Sequence, residues 1–289
     1  MTDLRYEAPE TIEAAVALLA DEGQGAKVFA GGTDLLVQMQ SDHVEPTLLV
    51  DIKKIAETRK ITVEQDHLRI GAAVTGAELG EHAGAIAMWP GVVEAVELIG
   101  SNQVQGRATV GGNLCNASPA ADAVPALIAA GSRAVIAGPN GTREVAAEEI
   151  ATGPGKTSLQ PGEFVVSLIL PKPAAHSGDA YLRFIPRTEM DIAVVGAGIS
   201  LTLNSDGTCA AARLVLGAVA PTAVVVEAAA EILIGNKLDD GVLEALSKAA
   251  SAVCSPIDDK RGTIEFRTKV AGVLARRVAA IAWQRAENN

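Results

Sequence analysis

Aromatic residues make up only 3% of this chain, with four Phe, two Tyr and two Trp in 289 residues. That shortage excludes a nucleic-acid platform of stacked rings and leaves the core to Ala, Val, Ile and Leu. Three cysteines, Cys115, Cys209 and Cys254, lie far apart, which excludes a disulfide framework and a Cys-ligated zinc or iron–sulfur centre. The four histidines, His43, His67, His82 and His176, form no H-E-x-x-H and stand beside no nucleophile. Positive charge is short as well: 24 Lys and Arg face 35 Asp and Glu, a net −11, which argues against non-specific binding of DNA or RNA. No run of 18 charge-free apolar residues appears, so no membrane span is expected. Residues 1–6 show no basic stretch leading into an apolar one, so no secretory leader is expected and the chain reads as cytoplasmic.

What is present is glycine in two particular places. Ala30-Gly31-Gly32-Thr33-Asp34-Leu35 follows a short strand candidate, residues 26–30, and precedes one or two helical turns at 35–40. Strand, glycine turn and short helix in that order leave backbone amides free for phosphate oxygens, and Thr33 adds a hydroxyl. Asp34 has the wrong charge for a phosphate and reads as a helix cap or a loop-ordering group. The second place is residues 109–122, T-V-G-G-N-L-C-N-A-S-P-A-A-D, read as a sharp turn after a polar loop at 101–108. Asn113, Asn116 and Ser118 offer donors and acceptors there. Asp122 either caps the helix that follows or accepts hydrogen bonds from ribose or ribityl hydroxyls. Cys115 reads as a small buried residue. Two such stretches suggest a diphosphate held from two sides. Neither matches G-x-G-x-x-G or the Walker spacing, and Gly153-Pro154-Gly155-Lys156-Thr157 reads as a surface turn.

The remaining pattern gives an α+β chain in three parts, residues 1–58, 59–175 and 176–289, with the proline-rich stretch at 171–178 as the clearest boundary. A helix is expected from Thr11 to Asp21 and a strand at 47–52. Hairpins are expected at 61–71 and 133–145, and a strand at 164–170. Met88-Trp89-Pro90-Gly91 reads as a break before a helix from Val92 to Ile99. Three antiparallel strands and three helices follow, at 224–234, 242–253 and 264–283, with Arg276, Arg277 and Arg285 as a solvated face and a charged helix end. No nucleophile or acid–base pair can be specified, as expected where a cofactor carries the chemistry.

Read together, Ala30–Leu35, Thr109-Val110-Gly111-Gly112-Asn113, Ala117-Ser118-Pro119 with Asp122, and Asp191-Ile192-Ala193 make the chain resemble, nearly end to end, the FAD-binding medium subunits of the molybdenum hydroxylases. These include aerobic carbon monoxide dehydrogenase and xanthine dehydrogenase. The resemblance implies a two-part FAD-binding domain of the vanillyl-alcohol oxidase type and a C-terminal antiparallel sheet with three helices. It implies that Ala30, Gly31, Gly32, Thr33 and Asp34, with Leu35 beside them, and Thr109, Gly111, Gly112 and Asn113 wrap the FAD diphosphate from opposite sides. Ala117, Ser118 and Asp122 would lie along the ribityl and phosphate portion. Lys27 stands where the family often has a basic residue, the strand around Val165 and Leu168 would pack against the ring system, and Arg187 or Asp191 would tune the flavin edge. The family's adjacent basic pair before Asp-Ile-Ala is reduced here to Arg187 alone, and no four-cysteine insertion is present.

The implied partners are a small subunit with two [2Fe–2S] clusters and a large subunit with the molybdenum cofactor, in a dimer of heterotrimers. Electrons would pass through FAD in this chain to an external quinone, oxygen or NAD⁺. The competing expectations are a free-standing flavin oxidase or dehydrogenase and a scaffold without cofactor.

Overall fold

The computed structural model describes residues 4–188 and 190–289. The first sheet is parallel, in the order Arg5–Glu7, Leu48–Asp51, Ala26–Phe29. Its central strand, Leu-Leu-Val-Asp, is buried at every position, as expected where both faces are covered. Parallel neighbours need crossovers, and the helix Ile12–Glu22 supplies one, with the Thr11 hydroxyl capping it through Ala14 N–H. The next crossover, from Ala26–Phe29 to Leu48–Asp51, carries the first glycine stretch and the helix Leu35–Gln40. That stretch therefore lies at the carboxyl end of a parallel strand, the usual place for a ligand in such sheets.

The second sheet is antiparallel, in the order Ile61–Val63, His67–Gly71, Phe164–Pro171, Arg133–Gly138, Gly141–Ala146. Short helices fill the stretch between His67–Gly71 and Arg133–Gly138. One hydrophobic core joins this sheet to the first: Val50 and Ile52 belong to the same cluster as Ile70, Leu168, Val96 and Leu127. The third sheet, Ser177–Phe184, Val195–Leu203, Cys209–Gly217 and Val224–Val225, is antiparallel in that order and is packed by three helices. The helix Ile264–Glu287 lies close against it. A Cβ at Gly178 would come 2.1 Å from Ala282 O, so only glycine allows that approach.

Several expectations are corrected. The polar stretch at 101–108 contains a short helix, Asn102–Gln105. The sharp turn at 109–113 is the start of a helix, Val110–Cys115, capped by the Thr109 hydroxyl on Gly112 N–H. Glycine content signalled a turn there, but the cap and the packing of Gly111 decide for helix. The break at 88–91 separates two helices, Ala83–Met88 and Pro90–Glu97; only the start of the second is shifted, to Pro90, whose missing N–H costs nothing in a first turn. The helix expected at 224–234 begins only at Glu227, because Val224–Val225 pairs with Val215 and Leu216 as a fourth strand. Arg285 is not a solvated helix end. It donates to Asp179 O at 2.7 Å and pairs with Glu94, tying the last helix to the N-terminal region.

Candidate functional site

The two glycine stretches line one cavity of ≈ 310 Å³. The first also presses on the residues that lead into the second: a Cβ on Gly31 would lie 2.0 Å from Arg107 O, so glycine there is what lets the two segments close together. Gly32 has φ +73° and a Cβ there would strike the Phe29 ring at 2.4 Å, so it too is held to glycine.

The two stretches do not present the same chemistry. Among the described residues, the N–H groups of Gly31, Gly32, Thr33 and Asp34 bond to no protein acceptor. In the second stretch the amides are already used. Val110 N–H donates to Val74 O and Gly111 N–H to Ala72 O, both at 3.1 Å, and Asn113 N–H donates to Thr109 O at 2.9 Å. Gly112 N–H donates to Thr109 Oγ1 at 3.1 Å. The second stretch therefore offers side chains: Asn113 Oδ1 accepts Ala123 N–H at 3.1 Å, which leaves its Nδ2 as a donor. Gly111 is glycine for packing, since a Cβ would sit 2.6 Å from the Ala72 Cβ.

Lys27, Ala30, Thr33, Leu35 and Thr109 also border the cavity, with Ile52, Ala72, Phe164 and Val165 as apolar wall. Asp34 borders it at the N-cap position of Leu35–Gln40, yet its side chain makes no capping bond, which removes the cap from the two roles expected of it. Cys115 lines the wall, and burial pushes its thiol up to about 12, so it stays protonated and unreactive at neutral pH.

Gln38 was not singled out by sequence. Its Nε2 donates to Asn116 Oδ1 at 3.2 Å across the cavity, joining helices 78 residues apart in sequence. Spacing offers one signal, since position 38 falls one turn after Leu35 on the same helix face. Removing this clasp with Gln38→Ala should speed release of a bound cofactor about fivefold, the worth of one neutral hydrogen bond. Stopped-flow measurement of flavin release checks it, and an unchanged rate would show that the clasp does not retain the ligand.

The other singled-out residues lie off the cavity wall. Ala117 adopts φ +50° and its carbonyl accepts Gly155 N–H at 3.0 Å. Ser118 Oγ accepts Ala120 N–H at 3.3 Å in a local turn. Asp122 stands at an N-cap position without capping. Its Oδ1 instead accepts the Tyr181 hydroxyl at 3.0 Å and its Oδ2 accepts Arg183 at 2.7 Å. Burial pushes its carboxyl up to about 6 even against these two donors. Leu168 is fully buried in the core, while its neighbours Phe164 and Val165 reach the cavity. Arg187 donates to Asp191 Oδ2 at 2.9 Å and Arg261 to Oδ1 at 3.1 Å. These bonds, that of Arg187 first, hold the Asp191 carboxyl down at about 2. The loop is tied inward by Met190 N–H on Gly100 O at 3.4 Å, next to the cavity-lining Ile99.

The family model described as the FAD binding domain in molybdopterin dehydrogenase matches residues 2–173. This chain belongs to that flavoprotein family. A second model, the CO dehydrogenase flavoprotein C-terminal domain, matches residues 180–282 of the flavoprotein. The chain is 34% identical over 280 residues to the carbon monoxide dehydrogenase medium chain of Hydrogenophaga pseudoflava, covering 97% of each. It is 33% identical over 275 residues to the putative xanthine dehydrogenase FAD-binding subunit of Escherichia coli, covering 94% of each. A chain of the Cu,Mo-CO dehydrogenase in its cyanide-inactivated form superposes with TM-score 0.94 at 34% identity, and one of quinoline 2-oxidoreductase from Pseudomonas putida 86 with 0.90 at 30%; each match covers 98% of both chains.

The flavoprotein is thus an α+β chain with a FAD-binding domain of the vanillyl-alcohol oxidase type. Its residues suit FAD on their own terms: unbonded amides and a hydroxyl at 31–34 match a diphosphate, and the Ile52, Ala72, Phe164 and Val165 wall matches an aromatic ligand. Among the described residues no helix is long and apolar enough to cross a membrane.

Proposed function

We propose that this flavoprotein is the electron-transfer subunit of a molybdenum hydroxylase complex, in which residues 31–34 hold the FAD diphosphate. The observation that carries the cradle is the run of unbonded amides beside a glycine that nothing larger could replace. Bound FAD supplies a carrier that can take electrons singly and pass on a pair. The chain's own part is to bind and orient. Gly31, Gly32 and Thr33 would supply donors to the diphosphate, Asn113 would reach it from the second stretch, and Lys27 borders the same cavity. Asp122 joins the loop at 116–122 to the C-terminal sheet through Tyr181 and Arg183, which would steady that loop beside the cofactor. The Arg187–Asp191 loop, fixed by Arg261 and Gly100, sets the charge near the flavin edge.

The partners in this proposal are a small subunit with two [2Fe–2S] clusters and a large subunit with the molybdenum cofactor, assembled as a dimer of heterotrimers in the cytoplasm. The final acceptor is a quinone, oxygen or NAD⁺. The relatives named as a medium chain and as an FAD-binding subunit support a role inside an assembly.

Two experiments test the proposal. The chain purified with its neighbours should show flavin absorption that bleaches when the molybdenum subunit's substrate is added without air. Bleaching by an organic donor with the isolated chain would favour the free-standing oxidase, and no flavin uptake at all would favour the scaffold. Gly112→Val tests the cradle. A Cβ at Gly112 meets only the Thr109 hydroxyl, at 2.7 Å, so the change disturbs the cap and crowds the cavity while sparing the core. FAD affinity should fall about tenfold or more by fluorescence titration; full occupancy in this variant would remove the second stretch from the cradle.

A further inference from the structure

The first cofactor loop is braced from behind by side chains that begin in the neighbouring strands. Asp51 ends the central strand of the parallel sheet and is buried. Its Oδ1 accepts Lys53 N–H at 2.9 Å, and its Oδ2 accepts Lys53 Nζ at 2.8 Å and the Tyr6 hydroxyl. Burial alone would raise the carboxyl, but these donors outweigh it and hold it below the usual carboxylate range. The lysine is thereby anchored by a charged partner.

Lys53 Nζ also donates to Ala30 O at 2.7 Å, and it lies 4.2 Å from the centroid of the Phe29 ring. That ring fills the space where a Gly32 side chain would be. A single cation therefore fixes the carbonyl that precedes Gly31 and the ring that underlies Gly32. A trans peptide is planar, so its C=O and N–H point in opposite directions. With Ala30 C=O turned onto Lys53, the Gly31 N–H is turned away from it. Ala30 and Gly31 line the main cavity; Lys53 does not, and instead lines a recess on the far side of Gly31 with Arg59 and Arg107.

We infer that Lys53 is a positioning residue for the cofactor: from outside the cavity it presets the Gly31 amide as a donor to the FAD diphosphate, with Asp51 and Tyr6 holding the lysine in place. This rests on the reading that residues 31–34 hold that diphosphate. The loop is then ordered before FAD arrives, and binding does not have to pay for turning the peptide.

The test is a fluorescence titration of FAD into the full chain freed of flavin, well below its melting temperature, for wild type, Lys53→Met, Lys53→Arg and Gly31→Ala. Affinity is measured on folded chain, so a lower melting temperature in Lys53→Met does not enter it. Lys53→Met should weaken FAD binding about tenfold, the scale of one hydrogen bond from a charged donor. Lys53→Arg, which keeps the cation and its donors, should restore most of that loss. Unchanged affinity in Lys53→Met beside a weakened Gly31→Ala overturns the role of Lys53 and leaves the cradle standing. Unchanged affinity in both overturns the cradle and the role of Lys53 with it. A loss in Lys53→Met that arginine does not recover assigns the lysine to packing and overturns the positioning role.

Discussion

Gly31→Ala should leave the chain nearly free of flavin, with FAD affinity lower by on the order of a hundredfold. The single added carbon would sit 2.0 Å from Arg107 O and 3.2 Å from Ala108 Cα, both backbone atoms that cannot swing aside as a side chain can. The two segments must move apart. Separation displaces the amides at 31–34 from the side chains of Thr109 and Asn113, so several diphosphate contacts weaken together, each worth about 1.5–3 kcal/mol when the acceptor is charged. Forcing extra volume into this contact should also cost about 1–3 kcal/mol of stability. The ratio of flavin to protein absorbance in the purified variant, with a thermal melt, checks both parts. Wild-type flavin content would mean that contact between the segments does not set the cradle.

Arg183→Met should destabilise the chain by about 3–5 kcal/mol near pH 8 and by less near pH 5. The Arg183 and Asp122 side chains are 5% and 10% exposed. Removing the guanidinium leaves a buried carboxylate with Tyr181 as its one remaining side-chain donor among the described residues. The pH dependence follows from linkage. Asp122 titrates at about 6 in the folded chain, above its value of about 4 when unfolded. The folded state thus holds this proton more tightly, and the contribution of Asp122 to stability falls as pH rises from about 4 to 6. Without Arg183 the folded value moves higher still, so the deficit against wild type keeps growing with pH beyond that point. Urea unfolding at both pH values checks the sign. Equal deficits would show that Arg183 acts by packing and not by neutralising Asp122.

Local pattern was enough to place most elements. The helix starting after Thr11 and the long helix from Ile264 follow from apolar periodicity and a Ser/Thr-type cap, which act over a few residues. The hairpin at 133–146 follows from its Gly-Pro-Asn-Gly turn. Where sequence reading went astray, a long-range contact overrode a local signal. Glycines 111 and 112 signal a turn, but Gly111 is pressed against Ala72 and the segment runs as a helix. Arg285 looked like a solvated cation because Glu94, its partner, is 191 residues away. The same holds for the site: Gln38, Lys53, Tyr181 and Arg183 carry no motif, and their roles arise only when distant segments meet.

By itself the sequence determined that this chain has glycine stretches able to admit an anionic ligand and the ordered set of motifs that marks its family. Those facts depend on residue type and spacing alone. Tertiary structure decided which glycine stretch still has amides to give, because Val74 O and Ala72 O take those of Val110 and Gly111 and the Thr109 cap takes the next two, while among the described residues those at 31–34 have no protein acceptor. It also decided that Asp122 faces Tyr181 and Arg183 and that Lys53 stands behind Ala30, since both arrangements join residues brought together only by the packing of separate sheets and loops.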